Sequence, residues 1–168
     1  MVQKPYPIVL FDWGDTIMYD DPASTVPMVE WVEIRLVEGI TDVLADLQAG
    51  GRQVILATGA VVSGVREIRG AFARTGLDLY FSHIYCSRDM HLQKGEAFYR
   101  HILADLNVSA ADVLMVGDSF EKDVQIPNSL DIFAVWFNQR SSETRDGQMH
   151  TTVHSMADLR RFFWMFGP

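Results

Sequence analysis

Short β-branched runs of strand length alternate along this chain with stretches whose apolar residues recur at helical spacing, and that alternation leaves few folds open. The strand-like runs are IVLF at 8–11, QVILA at 53–57, a short piece at 84–86, VLMV at 113–116 and IFAVWF at 132–137. Between them Ile40, Val43, Leu44 and Leu47 repeat on one helical face, as do Val65, Ile68, Ala71 and Phe72, then Phe98, Ile102, Leu103 and Leu106. Strands that are apolar on both sides need cover on both sides, so the pattern predicts an α/β fold in three layers: a doubly wound, mostly parallel sheet between helices. Gly50 and Gly51 close the first helix, Ser109 with Asp112 reads as a capped turn, and a short helix is expected over 120–130. After a polar loop at 139–148, a last helix starts near Ser155 with Asp158 as its capping partner and presents Met156, Leu159, Phe162 and Phe163.

At 168 residues the chain has the length of one domain, and neither a repeat nor a linker divides it, so 1–168 reads as a single core. Its apolar runs are far too short to span a bilayer. Acidic residues from Asp12 onward interrupt any secretory apolar region, and Cys86 is the single cysteine, so a disulfide framework is excluded and a reducing, cytoplasmic setting is expected. Cys86 itself reads as a small hydrophobe in a strand. A net charge of −8 argues against a stable nucleic-acid partner, because phosphate backbones are held by clustered Lys and Arg. The aromatic tail RRFFWMFGP reads as a helix docking on the sheet, with a homodimer contact as the alternative.

In an open parallel sheet, ligands bind beyond the carboxyl ends of the strands. Asp12 and Asp15 follow the first strand, Thr58 ends the second, and Asp118 follows the VLMVG strand. Carboxylates gathered there repel one another unless a cation sits among them, and a hard divalent ion such as Mg²⁺ suits oxygen ligands and attracts phosphate esters. Lys94 at a helix start can add a fixed positive charge. Taken singly, each has a plainer reading: Asp12 and Asp15 could cap a turn, Thr58 could be an ordinary strand-end hydroxyl, Lys94 a solvated residue, and Asp118 and Asp123 helix-capping acids. Their shared placement at strand ends favours a site.

The ordered set resembles the haloacid dehalogenase-like superfamily of phosphatases, phosphotransferases and dehalogenases along essentially the whole chain. VLFDWGDT matches its first motif, VILATG its second, the lysine of QKGEAF its third, and VLMVGDSFEKD its fourth. The resemblance implies a Rossmann-like core and phosphoryl transfer in two steps. Asp12 is the implied nucleophile; Asp12, Asp118 and the Gly14 backbone carbonyl are the implied Mg²⁺ ligands; Thr58 and Lys94 contact phosphoryl oxygens. Asp123 orients Lys94 or a metal-bound water, which places it beside the metal set. The expected partner is a phosphorylated small molecule or a macromolecular phosphate ester.

One position departs from the family pattern. Relatives carry a second aspartate two residues after the nucleophile, as acid and base, whereas this chain has Gly14 there and Asp15 where a glycine is usual. Weak phosphatase activity is therefore expected unless Asp15, or His91 before Lys94, handles the proton; a binding module or dehalogenase-like chemistry are the alternatives. The intervals after the first and second motifs are too short for a substantial cap. Residues 19–35 are the expected partial cover, with DDPAST turn-like and Trp31 and Ile34 packing while Glu33 faces water. Trp13 reads as a wall of the pocket, with a substrate platform as the alternative, and Trp136 as core.

Overall fold

A computed structural model describes residues 5–166. Its sheet contains β1 (Ile8–Phe11), β2 (Gln53–Thr58), β3 (Phe81–Cys86), β4 (Val113–Gly117), β5 (Phe133–Phe137) and β6 (His150–Val153). All pairings are parallel, and the order is β3-β2-β1-β4-β5-β6. The chain thus winds outward in one direction from β1 to β3, returns to the centre, and winds outward again from β4. Strand direction leaves a crevice where that reversal occurs, between the carboxyl ends of β1 and β4.

Side chains along a strand alternate between faces. In β1, Val9 and Phe11 enter one core, against α1 (Ile40–Ala49), α2 (Val65–Thr75) and α6 (Met156–Trp164). Ile8 and Leu10 enter the other, where Phe98, Tyr99 and Ile102 of α4 (Glu96–Leu106) pack. Every residue of β1 is buried, which is why its sequence shows no polar alternation. Between β3 and α4 lies the short α3 (Ser87–Met90).

The helix punctuation follows local chemistry. Gly51 takes φ +74° after α1, a left-handed conformation that costs a residue without Cβ little. Ser155 Oγ accepts the Asp158 N–H ahead of α6 and donates to Asp158 Oδ2, which also accepts the His154 N–H. The box expected from the sequence therefore forms, shifted back by one backbone donor. Ser109 likewise accepts the Ala111 N–H at a 3₁₀ turn.

Two segments differ from the sequence reading. The helix over 120–130 is a π-helical turn, Phe120–Gln125, followed by α5 (Ile126–Ser129). The stretch after the 139–148 loop forms β6, a short edge strand in which Val153 alone is buried, so it carries little of the apolar signal that marks the other strands. Phe162 and Phe163 dock on the core as the tail was expected to, whereas Trp164 and Met165 stay 56% and 74% exposed. Readings of residues 1–4 and 167–168 lie outside the described residues. Among the described residues no helix is long and apolar enough to cross a membrane.

Candidate active site

Asp12 sits one residue beyond β1, and its backbone N–H still donates to the Val116 carbonyl at 2.9 Å. The β1–β4 ladder therefore runs up to the residue itself and pins it beside the end of β4. Asp12 also continues the parity of Ile8 and Leu10, on the face that α4 covers. From the approach to that helix comes Lys94, whose side chain is only 3% exposed. Its Nζ lies 2.8 Å from Asp12 Oδ1 and 2.5 Å from Asp123 Oδ1. Burial alone would depress this ammonium, but the Asp12 and Asp123 carboxylates outweigh it and hold the group raised.

Asp118 and Asp123 come from the end of β4 and the wide turn after it. The Ser119 N–H donates to Asp123 Oδ2 at 2.9 Å, and the buried Asp123 Oδ1 faces the Lys94 ammonium. A Cβ at Gly117 would come within 2.3 Å of the Asp123 Cγ, so the glycine is what lets this carboxylate fold back against the strand end. The Trp136 indole, buried in β5, donates to the Asp118 carbonyl at 2.9 Å and fixes the turn from its far side. Trp136 is thus core, as expected, and also a brace.

Asp12, Asp118 and Asp123 each offer an oxygen within 4.8 Å of the others. Crowding marks them chemically. Asp118 is pushed up to about 8, first by burial and then by the neighbouring Asp12 and Asp123 charges. Asp123 is pushed up to about 6 by burial, with Lys94 pulling in the opposite direction. Three carboxylates facing one lysine form a cluster whose net negative charge and hard oxygen atoms fit a divalent cation.

The cluster lies at the base of an open cleft of about 400 Å³. On one side Thr58 ends β2, its Oγ1 accepting the Ala60 N–H at 3.2 Å, which leaves the hydroxyl hydrogen free to donate. Gly14 and Trp13 form another part of the lining, with the Trp13 indole buried and directed to Met18 Sδ at 3.3 Å. Trp13 is therefore a wall, as read. Opposite stands a strap formed by residues 20–31, which holds one 3₁₀ turn, Met28–Glu30, and no cap helices. The Trp31 indole donates to Ser24 Oγ at 3.0 Å, and the Arg74 guanidinium of α2 donates to the Val29 and Trp31 carbonyls, both at 2.7 Å. Trp31 and Ile34 pack and Glu33 is exposed, as expected.

Two residues weighed as proton handlers lie differently. His91 is exposed at φ +54° and takes no part in the cleft lining. Asp15 lines the cleft in the left-handed conformation, φ +57°, that a glycine would adopt easily. Both Asp15 oxygens are engaged, Oδ1 by the Asp20 N–H at 3.2 Å and Oδ2 by Arg140 at 2.5 Å. Nor is the space beside Gly14 vacant. A Cβ built there would lie 2.9 Å from Asp20 Oδ2 and 3.0 Å from Asp20 Cβ. Burial raises the Asp20 carboxyl, its bond from the Asp21 N–H opposes this, and Asp15 and Asp12 add to the rise. The expectation that Gly14 leaves the site short of a carboxylate is thus corrected: the Asp12, Asp118 and Asp123 cluster is complete, and Asp20 fills the neighbouring space. In the sequence, Asp20 was hidden inside a turn-like DDP. Cys86 is buried at the end of β3, its thiol pushed up to about 11 by burial and by Asp89, consistent with an inert role.

A model of the haloacid dehalogenase-like hydrolase family matches residues 14–130. A pyrimidine 5'-nucleotidase, PynA of Streptococcus pneumoniae (strain ATCC BAA-255 / R6), is 33% identical over 104 residues, which is 60% of this chain and 44% of that protein. The chain thus matches less than half the length of this curated relative. A crystal structure of a Listeria monocytogenes serotype 4b protein superposes with a TM-score of 0.79 at 21% identity, covering 95% of this chain and 97% of the other. The putative hydrolase YfnB of Bacillus subtilis, solved bound to magnesium, superposes with a TM-score of 0.75 at 14% identity, over 95% of this chain and 99% of that one. At such identities the two structures speak for the fold.

Proposed function

Because this chain belongs to the haloacid dehalogenase-like hydrolases, we propose that it is a Mg²⁺-dependent phosphatase or phosphotransferase that works through an aspartyl-phosphate on Asp12. The observation that carries this reading is the convergence of Asp12, Lys94, Asp118 and Asp123 at the β1–β4 crevice, beneath a cleft open to substrate. The ion would be held by Asp12, Asp118, Asp123 and the Gly14 carbonyl, and would supply positive charge to the phosphoryl oxygens.

The chain's own residues divide the remaining work. Lys94 binds Asp12 Oδ1 and so fixes the plane of the carboxylate, leaving Oδ2 to attack phosphorus. Its buried positive charge also opposes the charge that develops on the transferring group. Thr58 donates its hydroxyl hydrogen to a phosphoryl oxygen while the Ala60 N–H holds its Oγ1 in place. Asp123 keeps Lys94 charged and aimed. A carboxylate nucleophile splits hydrolysis into transfer to Asp12 and release by water.

The strap shields only one side, which is compatible with a small phosphate ester or with an ester on a larger molecule that covers the rest. The nucleotidase relative recommends nucleoside 5'-monophosphates as the first substrates to try, and Trp31 in the strap wall offers an aromatic surface for a base. A phosphate-ester panel containing pyrimidine 5'-monophosphates, sugar phosphates and p-nitrophenyl phosphate, run with Mg²⁺ and with EDTA, tests the proposal. Turnover that requires Mg²⁺ and disappears in Asp12→Asn is the expected result. Turnover that survives in Asp12→Asn rules out the aspartyl-phosphate.

A further inference from the structure

Phosphoryl transfer to Asp12 needs a proton for the departing oxygen, and the cleft offers few groups to give it. Lys94 is locked between Asp12 and Asp123. Asp118 and Asp123 belong to the cation cluster. Asp15 has both oxygens engaged, and Asp21 Oδ1 accepts the Ala23 N–H within its own turn. Asp20 is different. Its Oδ1 accepts the Asp21 N–H at 2.9 Å, which fixes the carboxyl plane, and no hydrogen bond among the described residues engages Oδ2. That second oxygen is the atom nearest to where a side chain at position 14 would begin, two residues past the nucleophile, and Asp20 lines the cleft.

We propose that Asp20, reaching across from the strap into the space left open by Gly14, is the general acid and base of this site. The inference rests on the phosphotransfer reading above. In the first step an Asp12 oxygen forms a bond to phosphorus, the bond from phosphorus to the ester oxygen breaks with its electron pair going to that oxygen, and the oxygen takes the proton from Asp20 Oδ2. In the second step the ionised Asp20 takes a proton from water as the water oxygen bonds to phosphorus and the Asp12 oxygen recovers its electron pair. Asp20 ends protonated, one water is consumed, and alcohol and phosphate leave.

Geometry gives the proposal a second edge. Gly14 and Asp20 crowd each other's alternatives, because an aspartate at 14 would bring its Cβ to 3.0 Å from the Asp20 Cβ, an atom that moves only with the strap backbone. The two positions therefore compete for one space, and a side chain at 14 requires Asp20 to give way.

The test compares an alkyl phosphate with p-nitrophenyl phosphate for wild type, Asp20→Asn, Asp20→Gly, Asp15→Asn and the exchange Gly14→Asp with Asp20→Gly, with Mg²⁺ affinity measured for each protein. Positioned acid catalysis is worth about 10²- to 10⁴-fold, and an alkoxide depends on it far more than a nitrophenolate. Asp20→Asn should therefore lose at least about 10²-fold in kcat/KM on the alkyl ester and less than about 10-fold on the aryl ester, with a burst on the aryl ester because release by water has lost its base. Its Mg²⁺ affinity should match wild type. Asp15→Asn should change both esters by the same factor. The exchange should recover at least about 10-fold on the alkyl ester over Asp20→Gly alone. Equal losses on both esters, no loss on either, or a Mg²⁺ affinity weakened in step with activity overturns the assignment. If wild type gives no phosphoryl adduct on Asp12 and keeps its turnover in Asp12→Asn, the phosphotransfer reading has failed and the assignment falls with it, a pattern that no Asp20 variant can imitate.

Discussion

The two walls of the cleft are built on different principles. On one side, Asp12 and Asp118 extend strands whose backbones are paired on both sides, and Lys94 and Asp123 meet them in a buried cluster with little room to move. On the other, the strap from 20 to 31 has one 3₁₀ turn and is moored at points: Trp31 on Ser24, Arg74 on the strap carbonyls, and Val29 against Gly70, where a Cβ would approach Val29 Cγ2 to 2.8 Å. Ladder-borne groups hold position because displacing them disrupts a sheet, whereas moored groups can yield locally. The comparison predicts that damage to the cluster is global and damage to the strap local.

The strongest attempt to break that rule is Lys94→Met. It leaves the buried Asp123 and the half-buried Asp12 without their counter-charge, and removing one partner of a buried ion pair costs about 3–5 kcal/mol. At roughly 2–4 °C per kcal/mol for a domain of this size, the Tm of the metal-free protein should fall by about 10 °C. A fall of a degree or two would mean that the pair is as expendable as a surface contact. Gly117→Ala comes next, because its new Cβ collides with Asp123. Overpacking of this kind costs about 1–3 kcal/mol. The displaced carboxylate should also weaken Mg²⁺ binding at least about tenfold, read by calorimetric titration.

Asp118→Asn sharpens the comparison by reversing the sign. Its carboxyl is raised in the folded protein to about 8, so between the ordinary carboxylate range near 4 and about 8 the native state binds more protons than the unfolded one, and stability falls as pH rises. The asparagine removes that penalty. In EDTA the variant should melt above wild type at pH 8 and close to it at pH 4, and Mg²⁺ should stabilise it less than wild type. A variant that melts below wild type at pH 8 would contradict the crowding of the three carboxylates. The smallest effect is expected from Arg74→Ala, which frees the Val29, Trp31 and Val32 carbonyls from an exposed guanidinium and should cost about 1 kcal/mol. Hydrogen exchange should rise at residues 28–33 while Mg²⁺ affinity stays put. Loss of Mg²⁺ affinity in this variant would show that the two walls are coupled.

What could be read from the sequence follows the same division. Strand-borne positions announce themselves, because a fully buried strand such as Ile8–Phe11 must be apolar throughout and the first polar residue after it marks the strand end. Asp12, Thr58 and Asp118 were visible on that ground, and Lys94 and Asp123 joined them through motif spacing. Asp20 was not, since its place depends on how a loop of irregular φ and ψ returns across Gly14, and no periodicity encodes that return. Edge strand β6 escaped for a related reason: three of its four residues are only half-buried, so packing exerted little selection on their polarity. The π-helical turn at Phe120–Gln125 read as an ordinary helix because apolar spacing cannot distinguish one extra residue in a single turn.

The close approach of Gly14 and Asp20 also has a consequence for how this chain can change by single substitutions. An aspartate arriving first at position 14 meets an occupied site, and loss of the carboxylate at position 20 removes a group before its replacement exists. On the assignment of Asp20 as acid and base, either substitution made alone should therefore lower turnover of alkyl esters, and passage from one arrangement to the other takes a paired change.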